Sequence, residues 1–173
     1  MSATTFGRLM GALPSGLIAL LLTTSTVTAA EDADDLMLQA QVVLTKGRPQ
    51  EAIGLLNKAI GKAPDRAELY MLRSRAREST GKYEAALEDA TRYIQLEPSD
   101  AFGYLNRARI YLSLEKPNAA LADANKAIEL APEEPDGYYR RADIYIELGR
   151  KAEAKADEMK AEELDRKYQG NTE

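Results

Sequence analysis

Arginine and aspartate recur together at one spacing, which suits them to a repeated electrostatic interaction. Three pairs are separated by 16 residues: Arg73 and Asp89, Arg107 and Asp123, and Arg141 and Asp157. They form either ion pairs inside the fold or a basic ladder for an acidic ligand. Gln39 and Leu55 stand where an earlier pair would fall, so both members are lost together. We therefore predict structural ion pairs, since an arginine without its carboxylate would be left buried and unpaired.

Enzymatic and metal chemistry have little support in the sequence. The 173 residues contain no Cys and no His, so thiolate metal sites, disulfides and the commonest general base are missing. There is no glycine-rich phosphate loop and no serine in a sharp-turn motif. The acidic pairs Glu133–Glu134 and Glu162–Glu163 fall at predicted helix ends on a surface. We predict a protein that is not an enzyme and that binds no cofactor and no metal.

The first 30 residues differ from the remainder and predict an export signal. Arg8 is their only charged residue, and it is followed by an apolar core, Leu17–Leu22, and then by small polar residues. This order is typical of a secretory signal peptide, with cleavage after Ala29 or Ala30. The alternative is a membrane anchor over residues 9–30, although its apolar part is shorter than the ~20 residues that a spanning helix needs. Both alternatives export the rest of the chain, to the periplasm or outside the cell.

Self-similarity at a fixed distance organises residues 31–168. Prolines and alanines recur every 34 residues, at Pro64, Pro98 and Pro132 and at Ala52, Ala86, Ala120 and Ala154. Four units of this length fill the sequence before a short tail at 169–173, with bounds near 33–66, 67–100, 101–134 and 135–168. Such a period indicates a solenoid, in which each unit buries its apolar face against its neighbours.

Each unit has the pattern of two helices joined by a tight turn. Gly47, Gly81 and Gly149 mark three of the turns, where a left-handed residue ends the first helix. The third unit has Glu115 there and Pro117 at the start of its second helix. The twentieth residue of every unit is Ala, which lets two antiparallel helices approach closely, and a larger residue would overpack the contact. The sequence therefore predicts an all-α fold of stacked helix pairs.

The repeated unit resembles the tetratricopeptide repeat, and the resemblance covers essentially the whole chain after residue 30. Besides the period, it includes an aromatic residue at the fourth position, a small residue at the eighth, Gly at the fifteenth, Ala at the twentieth and Pro at the thirty-second. The first unit departs most, with Leu36 and Val43 in place of aromatic residues. The resemblance implies a right-handed superhelix of antiparallel helix pairs whose first helices line a concave groove. It also implies protein–protein interaction without catalysis.

The same resemblance implies which residues face the groove. We predict a partner-binding surface made of Met37, Gln41, Met71, Arg75, Phe102, Leu105, Asn106, Arg109, Tyr139, Arg140 and Asp143. The fifth position of each first helix is Met, Leu or Tyr, and we expect these four side chains to form an exposed apolar column. Exposed methionine and aromatic residues are typical of adaptable binding surfaces. The alternative is that these side chains pack between the repeats.

The predicted function is a protein-binding scaffold or adaptor. Its partner would be an extended segment or a helix with apolar anchors and acidic character, recognised by Arg75, Arg109 and Arg140. Nucleic acid is not expected as a partner, because the formal charge is −5, and no membrane contact is expected beyond the N-terminal signal.

The alternative function is structural self-assembly, with weak self-association through the end repeats. The helix predicted over Ala33–Gly47 has no preceding unit to cover its outer face. The last helix, Lys151–Asp165, instead carries Lys155, Glu158 and Glu162 where earlier units are mostly apolar, and is predicted to be a polar cap.

Overall fold

The computed structural model describes residues 32–170, with side chains as far as Tyr168. This range contains eight α-helices and no β-strand: α1 (Ala33–Thr45), α2 (Pro49–Lys62), α3 (Ala67–Glu78), α4 (Tyr83–Leu96), α5 (Ala101–Ser113), α6 (Pro117–Leu130), α7 (Pro135–Glu147) and α8 (Lys151–Gly170). The predicted all-α fold is therefore confirmed. The predicted signal or anchor at residues 1–30 lies outside the described residues. Among residues 32–170, no helix has the length and apolarity that a membrane span requires.

The helices pair in chain order, and each pair packs on the next one. α1 lies on α2, α3 on α4, α5 on α6 and α7 on α8, and the second helix of each pair also contacts the first helix of the following pair. The first helices begin at residues 33, 67, 101 and 135. Because contacts join near neighbours along the chain, the described part of the protein is a stack of helix pairs.

A left-handed residue separates the two helices of each pair. Gly47, Gly81 and Gly149 have φ values of 69°, 73° and 72°, as their positions predict. Glu115 takes the same conformation with φ 56°, although it carries a Cβ. The turn geometry is thus the same in all four repeats, and in the third it is imposed on a residue that does not favour it.

The alanine at the twentieth position lies at the closest contact within each pair. Ala52, Ala86 and Ala120 are fully buried, and Ala154 is 2% exposed. Between pairs, Gly137 of α7 has a similar role, because a Cβ there would lie 2.7 Å from the Ile128 side chain of α6. Small residues therefore set the distance both within pairs and between them.

The arginine and aspartate pairs form ion pairs across the helices of a repeat, as predicted. In the third repeat, Nε of Arg107 donates to Oδ2 of Asp123 at 2.7 Å and Nη2 donates to Oδ1 at 2.8 Å. The second and fourth repeats have the same bidentate geometry at Arg73 and at Arg141. Hydrogen bonding to Asp123 raises the pKa of Arg107 above its ordinary value. These pairs leave no basic ladder free for a ligand.

Each of these arginines also reaches the preceding repeat, which sequence analysis missed. Nη1 of Arg73 donates to Oδ1 of Asn57 at 2.7 Å, and Nη1 of Arg141 donates to Oδ1 of Asn125 at 2.8 Å. Arg107 makes a longer bond of 3.5 Å to Oγ1 of Thr91. The acceptors lie 16 residues before the arginines, on the second helix of the previous pair. One guanidinium group thereby connects three helices.

The C-terminal helix is longer than the others. α8 continues to Gly170 and so runs two residues into the predicted tail, of which residues 171–173 are outside the described residues. Lys167 donates to Oε2 of Glu133 at 2.6 Å, and the Tyr168 hydroxyl donates to Oε1 of Glu134 at 3.2 Å. These contacts hold the last turns of α8 against the loop before α7.

Removing one carboxylate from an ion pair should be strongly destabilising. Asp123 is 6% exposed, and Asp123→Ala would leave the Arg107 guanidinium without its partner inside the repeat. We expect the free energy of unfolding to fall by about 3 kcal/mol, measured by urea denaturation. Glu129→Ala is the control, since it breaks only an exposed pair with Lys126 and should lower stability by less than about 1 kcal/mol. Equal losses in the two variants would contradict a structural role for the buried pair.

Candidate functional site

The first helices of the last three repeats surround a concave cleft of about 670 Å³. Its walls come from α3 with the turn that follows it, from α5 and from α7. The lining residues are Arg75, Glu78, Ser79, Tyr83, Phe102, Leu105, Asn106, Arg109, Ser113, Asp136, Tyr139, Arg140 and Asp143. A cleft built on helices that are fixed by buried ion pairs is a preformed surface for a ligand.

The structure brings eight of the eleven predicted groove residues to this cleft: Arg75, Phe102, Leu105, Asn106, Arg109, Tyr139, Arg140 and Asp143. Gln41 instead lines a separate depression between α1 and α3, to which Arg75 also contributes. Met37 is partly buried against the apolar cluster of the first repeat. The predicted groove is therefore concentrated in the last three repeats.

The expected exposed apolar column is interrupted. Met71 is only 7% exposed and belongs to the buried core, so it presents no binding surface. Methionine is unbranched and flexible, and it fills gaps between packed helices readily, which accounts for this correction. Leu105 is half-buried, and Tyr139 is exposed with its hydroxyl donating to Oδ2 of Asp165 at 2.7 Å. Only Leu105 and Tyr139 of the predicted column reach the cleft.

Asn106 lies at the floor of the cleft as a structural residue. It is 4% exposed, and its Nδ2 donates to Oγ of Ser74 at 3.3 Å. Ser74 in turn donates to the carbonyl oxygen of Ala86 at 2.9 Å. The Oδ1 of Asn106 accepts from Nη2 of Arg109 at 2.9 Å. Asn106 therefore joins two repeats and orients Arg109, and little of it is available to a ligand.

Glu78 is a cleft residue that sequence analysis did not identify. Its Oε1 accepts from Nη1 of Arg109 in an ion pair between the second and third repeats. Burial raises the pKa of the Glu78 carboxyl above its ordinary value, although Arg109, Arg140 and Arg75 act in the opposite direction. The available signal was an acidic residue at the end of a first helix, one turn beyond Arg75. Glu78 neutralises Arg109, so that arginine contributes less positive charge to the cleft than expected.

Arg75 and Arg140 differ in how they are held. Arg75 is exposed and makes no hydrogen bond or ion pair within the described part of the chain. Nη1 of Arg140 contacts Oδ2 of Asp143 at 3.2 Å, while its Nε is buried without a hydrogen-bond partner. Phe102 is close to both, with its ring 49% exposed at the cleft wall. The arrangement offers a guanidinium and an aromatic surface together, which suits an acidic and apolar ligand.

This architecture defines the class of protein: a scaffold of stacked helix pairs with a cleft on its first helices. Family models described as tetratricopeptide repeat match residues 37–101, 103–134 and 135–168. The chain belongs to the tetratricopeptide repeat family, whose members bind protein partners. No curated protein sequence matches the chain significantly.

Solved structures share this fold. The crystal structure of MamA is 24% identical in sequence, with a TM-score of 0.74 over 81% of this chain and 82% of that one. Residues 41 to the end of MamA from Desulfovibrio magneticus RS-1 are 19% identical, with a TM-score of 0.74 over 80% and 78% of the two chains. TTC0263, a thermophilic repeat protein of Thermus thermophilus, is 20% identical, with a TM-score of 0.69 over 78% and 75%. At these identities the similarity establishes the fold.

The raised pKa of Glu78 predicts a pH-dependent effect on stability. The folded protein holds this proton more tightly than the unfolded chain does, so ionisation of Glu78 lowers the free energy of unfolding as the pH rises. Glu78→Gln removes that loss and should therefore stabilise the protein at pH 7. The gain should shrink as the pH falls toward the ordinary glutamate value of about 4.3.

Urea denaturation of parent and variant at several pH values measures this difference. The exposed Glu88 on α4 supplies the control, because Glu88→Gln should change stability equally little at every pH. A difference between Glu78→Gln and the parent that is independent of pH would show that burial does not disfavour the charged carboxylate.

Proposed function

We propose that this protein is an exported adaptor that holds a segment of a protein partner in the concave cleft. The observation that carries the proposal is the position of Arg75, an exposed and unpaired guanidinium beside the exposed ring of Phe102. Within residues 32–168, the other arginines of the cleft already contact carboxylates of the protein itself. The bound segment would be extended or helical, with an acidic side chain for Arg75 and an apolar side chain for Phe102 and Leu105.

Charge in the cleft supports a mixed ligand rather than a purely acidic one. Arg75, Arg109 and Arg140 are balanced by Glu78 and by the exposed carboxylates of Asp136 and Asp143. A strongly anionic segment would meet those carboxylates as well as the arginines. One acidic residue flanked by apolar residues matches the cleft better, because it places the single negative charge at Arg75 and buries apolar surface elsewhere.

Export rests on residues 1–30 alone, which have the order of a secretory signal. If the signal is cleaved, the protein isolated from its host should begin at Ala30 or Glu31. N-terminal sequencing or intact mass measurement of the envelope and secreted fractions checks this expectation. An uncleaved N-terminus in a membrane pellet would favour the anchor, and an uncleaved protein in the cytosol would contradict export.

Substitutions that leave the helix packing intact test the cleft. Arg75→Glu combined with Phe102→Ser changes two exposed side chains and spares the buried Met71 and the paired Arg109. The full chain and this variant are each used to capture partners from envelope and secreted fractions. A segment of the captured protein is then titrated as a synthetic peptide by fluorescence anisotropy. We expect the variant to bind it at least ~10-fold more weakly, because both anchors are removed.

Lys58→Glu combined with Met159→Ser is the matched control, with one charge reversal and one apolar loss at exposed positions outside the cleft. It should bind like the parent. The peptide's own acidic residue should also matter, and its replacement by Asn should weaken binding to the parent but not to the cleft variant. Equal affinity of all three proteins for the peptide would place the binding site elsewhere on the molecule.

A further inference from the structure

The outer face of α1, defined here by Leu38 and Val42, is exposed although the equivalent face is buried in every other repeat. Val42 is 44% exposed, whereas Ala76, Ile110 and Ile144, at intervals of 34 residues, are fully buried. Ile110 packs against Ala86 and Ala90 of the preceding second helix, and Ile144 packs against Ala120 and Ala124. Leu38, on the same face one turn earlier, is 60% exposed.

The opposite end of the stack does not provide a complementary surface. On α8 the positions equivalent to Ala90 and Leu87 are Glu158 and Lys155, and both are exposed. Stacking α8 of one molecule on α1 of the next would bury these charges against Leu38 and Val42, which is unfavourable because the charges would lose water without gaining partners. Head-to-tail assembly into filaments is therefore disfavoured, and a symmetric contact between two α1 faces is not.

We propose that this protein forms a symmetric dimer in which the α1 outer faces of two copies pack antiparallel. Leu38 and Val42 are centred on residue 40, so a two-fold axis there places Leu38 of each copy against Val42 of the second copy. The same axis brings Asp35, five residues before the centre, to the height of Lys46 of the second copy, six residues after it.

Charge complementarity supports this register. On a helical wheel Asp35 and Lys46 lie on the same edge of the apolar face, and a perpendicular two-fold axis keeps that edge on one side of the interface. Both side chains are exposed, and neither forms an ion pair within residues 32–168. Two intermolecular ion pairs would then flank the apolar contact. The patch is small, so the dimer is weak and reversible.

Sedimentation equilibrium of the full chain tests the proposal. The monomer mass is 19.0 kDa, and the average mass should rise toward twice that value between about 10 and about 300 µM. Leu38→Glu with Val42→Glu should keep the chain monomeric over this range, since Glu suits an exposed helix face and leaves the fold intact. Met159→Glu is the control, because Met159 is as exposed as Leu38 but lies on α8, and it should dimerise like the parent.

Charge exchange tests the antiparallel register separately. Asp35→Lys should weaken the dimer by bringing two lysines together, and Asp35→Lys with Lys46→Asp should restore it. A monomeric parent at all concentrations would overturn the proposal and would favour coverage of this face by residues 1–31 of the same chain. Self-association that Leu38→Glu/Val42→Glu leaves unchanged, or that Met159→Glu also removes, would overturn it too. Failure of the charge exchange to restore the dimer would overturn the antiparallel register.

Discussion

The bidentate ion pair between the arginine of a first helix and the aspartate of its partner helix is the interaction on which the stack depends. In the third repeat, Arg107 holds Asp123 with two hydrogen bonds and reaches Thr91 of the preceding pair with a third. Aromatic rings of Tyr104 and Tyr111 flank the same guanidinium at 5.8 and 5.9 Å. A buried charge that is paired this completely fixes helix rotation, because any rotation would leave the carboxylate unsatisfied. Each first helix is thereby held with one side toward the cleft.

Fixing the helices in this way divides the polar residues of the first helices into two groups. One group, including Asn106 and Glu78, makes contacts between repeats and determines the shape of the cleft. The other, above all Arg75, points into the cleft without a partner in the described part of the chain. Recognition of a protein segment depends on the second group, but its geometry is set by the first. The same division explains why arginines at equivalent positions, Arg75 and Arg109, differ in their availability.

Sequence analysis predicted the period, the helix pairs and the Arg107–Asp123 contact, because all three follow from spacing along one or two helices. It could not predict that Met71 would be buried or that Glu78 would neutralise Arg109. Both depend on the offset between successive repeats, which is determined by close contacts such as that of Gly137 with Ile128 and not by the pattern within one unit. The acidic residue at the end of α3 had no equivalent in the neighbouring repeats that would have indicated its role. The extension of α8 to Gly170 likewise depends on contacts with Glu133 and Glu134 rather than on the repeat.

The absence of the arginine–aspartate pair from the first repeat has a consequence for how the chain opens. Gln39 and Leu55 occupy those positions, and Leu55 packs against the apolar cluster of that repeat, so no carboxylate there fixes the rotation of α1. In a stack with mainly nearest-neighbour contacts, local unfolding proceeds from the ends inward. The amide hydrogens of α1 and α2 therefore exchange with solvent before those of α5 and α6. Folding would correspondingly begin in the central repeats, with the N-terminal pair added last.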